Sequence, residues 1–376
     1  MTVISPYSSE LGSPPHSVGT LITVRSALSS PSNPLDLEAP DARRSSAVWF
    51  EAGDLVLFVR ERSSDDFCIF KVFRAILSLQ SIVLKDSLKP TASDIDVVST
   101  YQGCPVLHLV DSPVDMTHFL RAVHDLSFSP RWSSLEAVEA LLKLGSKYRV
   151  ERLRQVAIST LSLEFPARLQ DYDQRMHRRV SVIVQTEDVF RVLHLAREFN
   201  LVQLLPCILY RCAVDFSILD ICNGYSSDAE SNSESTVSSS ATSKISNPLD
   251  IQLCLVGRET ILTAHHAIPS FLRRHPTDGR SSRHHEDPSI YHCADSRRCS
   301  TARWHQVQNR LSVVQDPLRF GFDWEGYATV VCDGCFRYAQ ESHRAERQAF
   351  WVALPGLFGL PKWDEILDSA AKSFPG

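Results

Sequence analysis

The sequence predicts an α+β chain in which a short run of strands near residue 54 gives way to helices for most of the remaining length. Three observations carry this reading. Asp54-Leu55-Val56-Leu57-Phe58-Val59 has strand character, and Phe70-Lys71-Val72-Phe73-Arg74-Ala75-Ile76-Leu77 passes from strand into helix. From residue 116 onward, apolar residues recur at helical spacing through several consecutive segments.

Taken in order, residues 1–46 are rich in Ser and Pro and are expected to form a disordered tail, because such a composition buries too little apolar surface to offset ordering. Globular pattern begins at Val48-Trp49-Phe50, and Gly53-Asp54 turns the chain into the first strand. Asp65-Asp66 marks a hairpin turn before Phe67-Cys68-Ile69-Phe70. Val72, Ile76, Leu79 and Val83 then share one face of a helix or helix pair, and residues 85–103 read as a loop. A third strand, Pro105-Val106-Leu107-His108-Leu109, closes at Asp111-Ser112-Pro113.

Three helix stripes follow. Met116, Phe119, Leu120 and Val123 form the first, while Leu135, Val138, Leu141, Leu142 and Tyr148 form the second, opened by Ser133-Ser134 with Glu136 in its first turn. Leu153, Val156, Ala157, Leu161 and Phe165 form the third, joined to the second by a hinge at Gly145 to Val150 and stopped by Pro166. The first domain is therefore drawn at 47–166 and a helical extension at 167–222, with Pro206 as a helix break. Residues 223–247 are Ser-rich and acidic and are expected to be a disordered insert. Residues 248–376 form a mostly helical C-terminal region, within which Tyr327-Ala328-Thr329-Val330-Val331 reads as a strand ahead of a long helix.

Composition narrows the function classes. With 376 residues and 43% hydrophobic content, the chain can build two cores of ordinary size. A formal charge of −5 supplies little long-range attraction to nucleic acid or to an anionic membrane, so neither is expected as a partner. The N-terminus lacks the apolar run of an export signal, and cytoplasm or nucleus is the expected location. In a reducing compartment, ten cysteines point to buried thiols or metal ligands rather than disulfides.

The strand, strand, helix, strand, helix, helical-hairpin order of residues 54–165 resembles the BTB/POZ domain, in wording close to its fungal, basidiomycete branch. The segments that carry the likeness are Gly53-Asp54-Leu55-Val56-Leu57, Phe70 to Leu77, Gly103-Cys104-Pro105-Val106-Leu107-His108-Leu109, and Leu141 to Tyr148 with Val150-Glu151 and Leu153-Arg154. The tail, with Cys332-Asp333-Gly334-Cys335 and Leu354-Pro355-Gly356-Leu357-Phe358-Gly359-Leu360, is similar to the C-terminal extension of such proteins.

The resemblance implies a three-stranded mixed sheet with helical hairpins, no catalysis, and a scaffold or adaptor that self-associates, as a homodimer, or recruits protein partners. Leu55, Leu57, Ile76 and Leu79 are its candidate interface residues, although most apolar periodic residues simply pack. Phe73 stands where the family commonly has His, and the Asp125 to Ser134 loop has no hydrophobic-x-Glu signature, so support for a cullin ubiquitin ligase as partner is weak.

Cys332-x-x-Cys335 is the sharpest chemical feature. Two thiolates at this spacing around a glycine turn can face one zinc ion, with Cys293 and Cys299 as the second pair and His292 or His305 as alternates. Structural zinc, buried free thiols and a redox pair all remain open, the last because Cys335 enters a helix whose dipole would lower its pKa. His265-His266, His284-His285 and the Arg-rich stretch to Arg303 read as solvated loop. Ser227 and Ser231, each three residues ahead of an acid, suit an acid-directed kinase. No phosphate loop, nucleophile elbow or His-Glu-x-x-His pair is present, which argues against an enzyme. The rival reading is a zinc-stabilised nucleic-acid-binding regulator that dimerises through the same first domain.

Overall fold

The structure is a computed structural model. It describes residues 44–62, 67–89, 100–125, 134–177, 184–225, 243–265, 270–273, 293–308, 318 and 322–373. The expected tail before residue 44, the hairpin turn at Asp65-Asp66, most of the 85–103 loop, most of the Asp125 to Ser134 loop and most of the Ser-rich insert lie outside these residues. So do Ser227, Ser231, His266, His284, His285 and His292. The chain divides into two compact units between Ala157 and Ile158, within a helix and ahead of Pro166.

The first unit holds β1 (Arg44–Trp49), β2 (Leu55–Arg60), β3 (Phe67–Val72), β4 (Thr100–Tyr101) and β5 (Cys104–Val110), in the order β1-β3-β2-β5-β4. The sheet is mixed: β1 runs parallel to β3 and β2 parallel to β5, while β2–β3 and β4–β5 are antiparallel. Five strands stand where three were expected. The additional two are the edges, one of them a two-residue strand joined to β5 by a tight turn at Gln102 and Gly103. Both turn residues have positive φ (49° and 77°), the requirement of a two-residue hairpin turn whose twist matches its strands.

The sheet curls until its edges meet. Arg44 on β1 donates from Nε and Nη2 to the hydroxyl of Tyr101 on β4, at 3.1 and 2.8 Å. Inside the curl, Val56, Ile69 and Tyr101 form a small core with Trp49, Phe58, Phe67, Cys104 and Val106. On the other face of β2, Leu55 and Leu57 are 1% and 0% exposed. Both were expected at an interface, yet β2 is the central strand and is covered on its two faces, so they are core. Gly53 makes the entry to β2 tight, since a Cβ there would sit 2.9 Å from the carbonyl oxygens of Phe50 and Val72.

Five helices complete this unit or run on from it: α1 (Arg74–Gln80), α2 (Ile82–Ser87), α3 (Pro113–His124), α4 (Leu135–Lys147) and α5 (Glu151–Glu164), which passes into the second unit. α3 packs on β1 and β2 and against α4. Its start is fixed by Ser112, whose Oγ accepts from the Asp115 amide, and by Pro113 in the first turn. The expected single stripe over 72–84 is broken at Ser81, which caps α2 and donates to the Tyr148 carbonyl at 2.6 Å. The break changes which residues face inward. Leu77 and Leu84 are buried, Ile76 is half-buried, and Leu79 is 86% exposed.

The second unit is helical: α6 (Leu169–His177), α7 (Val189–Glu198), α8 (Leu205–Asp215), α9 (Ile218–Asn223), α10 (Pro248–His265), α11 (Ser270–Arg273), α12 (Ser296–Gln308), α13 (Trp324–Val330), α14 (Asp333–Leu357) and α15 (Trp363–Ser373). α8 is buried from Leu205 through Ala213 and touches α7, α10 and α14, which makes it the hub. Pro206 starts this helix rather than breaking one, because the first turn has no use for the amide that proline lacks. The strand expected at Tyr327 to Val331 is α13 followed by an extended residue. Asp323 caps that helix by accepting from the Gly326 amide, and only Tyr327 among its residues is buried. Among the described residues, no helix is long and apolar enough to cross a membrane.

Candidate metal centre

The ends of three helices in the second unit bring four cysteines together. Cys293 lies just ahead of α12, Cys299 is in its first turns, Cys332 caps α14 at its N-terminus, and Cys335 is in the first turn of α14. Asp295 sets the start of α12, accepting from the Arg298 amide with its side chain and from the Cys299 amide with its carbonyl. Arg298 then fastens α12 to the end of α13, donating to the carbonyls of Thr329 (2.6 Å) and Val330 (3.1 Å). That clamp falls two residues before Cys332 and thus sets one cysteine pair against the other.

All four Sγ atoms lie within 4.8 Å of one another. Cys332 and Cys293 are 3.9 Å apart at sulfur, far beyond a disulfide bond, and all four are free thiols. A tetrahedral ion with bonds of about 2.3 Å to sulfur places its ligands about 3.8 Å from one another. The cluster therefore lies within metal-binding geometry. A histidine is not needed to complete it, since His305 stands exposed on α12 and lines a shallow groove with Asp295, Arg297, Arg298, Thr301 and Val330.

Backbone amides point at the sulfurs. The Cys332 amide donates to Cys299 Sγ at 3.3 Å, and the amides of Ala294 and Cys335 lie where they favour a charged Cys332 sulfur. Burial alone would raise the Cys332 thiol, but these amides and the neighbouring thiols outweigh it and bring it down to about 6. Cys335 and Cys299 go the other way, each pushed up chiefly by burial. The sequence had assigned the lowered thiol to Cys335 on the strength of the helix dipole. Cys335 is turned into the apolar core, where desolvation dominates, and the half-buried cap residue holds the negative charge instead.

An aromatic core supports the group. Phe271, Phe322, Tyr327, Val331 and Ala339 are buried around Cys299 and Cys335, with Trp324 packed edge-on to Phe322 at 4.5 Å between ring centroids. The sequence had not tied Arg298 or Tyr327 to the cysteines. An arginine next to a cysteine carries no local sign that its target is a pair of carbonyls some 30 residues on.

Fold and site together define an α+β chain with a four-cysteine group in metal-binding geometry. No family model, curated protein or solved structure matches the chain.

Proposed function

We propose that this chain is a non-catalytic, BTB/POZ-like scaffold or adaptor that acts by self-association or by recruiting a protein partner, and that its second unit is held by a structural zinc ion. The observation that carries the scaffold reading is the surface of α1 and α2. Leu79 and Ile82, two large apolar side chains on consecutive short helices, are 86% and 59% exposed, with Ile76 and Val83 half-buried beside them. Apolar surface of this kind is retained where a partner covers it. The interface expectation passes from Leu55 and Leu57 to Leu79 and Ile82.

Sedimentation of the full chain over a range of concentrations tests this. Self-association that is weakened at least tenfold by Leu79→Asp with Ile82→Asp is the expected result, and a wild-type chain that stays monomeric at high concentration removes the homodimer.

Zinc is supported by the donor set. Four sulfur ligands with no oxygen among them suit a closed tetrahedral site for a soft or borderline ion, and the amide donors are the partners that thiolates, not thiols, require. Metal analysis of protein purified without chelator should give one zinc per chain.

A second reading, a zinc-stabilised nucleic-acid regulator, draws on the outer face of α12. Arg297, Thr301, Trp304 and His305 are exposed there, and the helix carries no acidic residue. Its test is a salt-dependent shift of labelled DNA lost in Arg297→Ala with Trp304→Ala. Arg298 is unsuitable for that test because its guanidinium is committed to the α13 carbonyls.

A further inference from the structure

We propose that Arg303 is a positioning residue for the four-cysteine group, a half-buried counter-charge that makes the site selective for its ionised, metal-loaded form; this inference rests on the metal reading above. Arg303 follows Cys299 by four residues on α12, so the two leave the helix on the same face. Helical side chains lean toward the N-terminus, which carries Arg303 back over the turn that holds Cys299. Its Nη2 donates to Ser300 Oγ at 3.2 Å, in keeping with that direction.

The remaining donors are the unusual feature. Nε and Nη1 of Arg303 are buried and have no hydrogen-bond partner among the described residues. The same holds for the hydroxyl of Tyr327, a side chain only 1% exposed. Tyr327 feels the charge of Arg303 as well as that of Cys299, Cys332 and Cys335.

A guanidinium does not give up its proton, and burying two of its nitrogens without acceptors for their N–H groups is costly. Four neutral thiols offer nothing to offset that cost. Four thiolates around a divalent ion carry a net charge of −2, and a fixed positive charge one helical turn away then stabilises the group. Arg298 does not fill this role, because it is held by carbonyls.

The experiment compares zinc affinity of the full chain by chelator competition in wild type, Arg303→Met and Arg303→Lys, with cobalt(II) loading of each to read tetrahedral thiolate coordination. Loss of a charged outer partner weakens metal affinity about 10–100-fold. Arg303→Met should show that loss with its cobalt spectrum still that of a four-sulfur site, and Arg303→Lys, which keeps the charge without the planar fork, should recover most of it. Wild-type affinity in Arg303→Met overturns the inference, as does a Lys variant no better than Met, which would assign the effect to packing. If Arg303→Met does not fold, Arg303→Gln runs the same comparison. Wild-type protein that takes up no zinc overturns the metal reading itself, and this inference with it.

Discussion

The backbone amide of Cys332 donates a 3.3 Å hydrogen bond to Sγ of Cys299, a residue 33 positions earlier in the chain. An amide so placed favours a sulfur that carries negative charge. It also joins the first turn of α14 to the first turns of α12, so the chemistry of the cluster and the packing of the helices are coupled.

Metal removal should therefore be felt as structure. Cys299→Ser, or treatment of the wild type with a strong chelator, is expected to abolish zinc binding and to open the α12–α13 region to protease. The α8 hub should keep its protection. Limited proteolysis followed by mass spectrometry measures this, and equal cleavage rates with and without zinc would count against a structural ion.

In the metal-free, reduced protein, Cys332 should alkylate at unusually low pH. Its pKa lies near 6, below the ordinary thiol value of 9.0. The sign follows directly. The thiolate is present above pH 6 and is lost as pH falls through it, so the stabilisation that its amide donors provide is complete above about 9 and disappears below about 6. Iodoacetamide labelling read peptide by peptide should reach half its maximal rate for Cys332 near pH 6, with Cys299 and Cys335 labelled only at higher pH.

In the first unit, Ser81→Ala should destabilise by about 1–2 kcal/mol, the usual effect of losing a helix cap. Ser81 is 1% exposed, accepts from the Leu84 amide at 3.0 Å and donates to the Tyr148 carbonyl. Urea unfolding followed by far-ultraviolet dichroism would measure it. A change within error would mean that the break between α1 and α2 does not depend on this hydroxyl.

Acid should weaken the first unit before its carboxylates titrate. Burial lowers the pKa of His124, whose ring stacks on Phe50 at 4.9 Å and whose Nδ1 lies 2.9 Å from the Leu120 carbonyl oxygen. A histidine lowered in the folded state takes up its proton more readily when unfolded. Stability is therefore full above the unfolded value of 6.5 and declines as pH falls through it. His108 shifts in the same direction, also through burial, and burial raises the carboxyl of Asp115. Urea midpoints of the wild type at pH 7.5 and 5.5 should differ, and the difference should shrink in His124→Gln.

Much of this was legible in the sequence, and the residues show where legibility ended. The Cys332–Cys335 spacing was readable because it is local, and Cys293 and Cys299 could be named as partners because few other cysteines lay nearby in that region. Strands β2, β3 and β5 announced themselves through continuous apolar residues. β4 could not, being two residues long and defined by its turn. Leu79 fitted a buried stripe by count, but a stripe presumes an unbroken helix, and Ser81 interrupts it. The alternation of Tyr327 to Val331 mimicked a strand because Ala328, Thr329 and Val330, the exposed residues that follow Tyr327 in α13, are apolar or small. Asp323, which caps it, was the better sign.

α14 runs unbroken for 25 residues, about 37 Å at 1.5 Å per residue. Its far end is pinned by Trp351, which donates to the Ala167 carbonyl and stacks on Trp363 with centroids 5.5 Å apart. Among the described residues, the near end is pinned by the cysteines and their aromatic surround. A rod fixed permanently at one end and conditionally at the other unzips in a single direction. Loss of the ion would thus be read along the helix as a graded loss of amide protection, steepest at Cys335 and fading before Trp351.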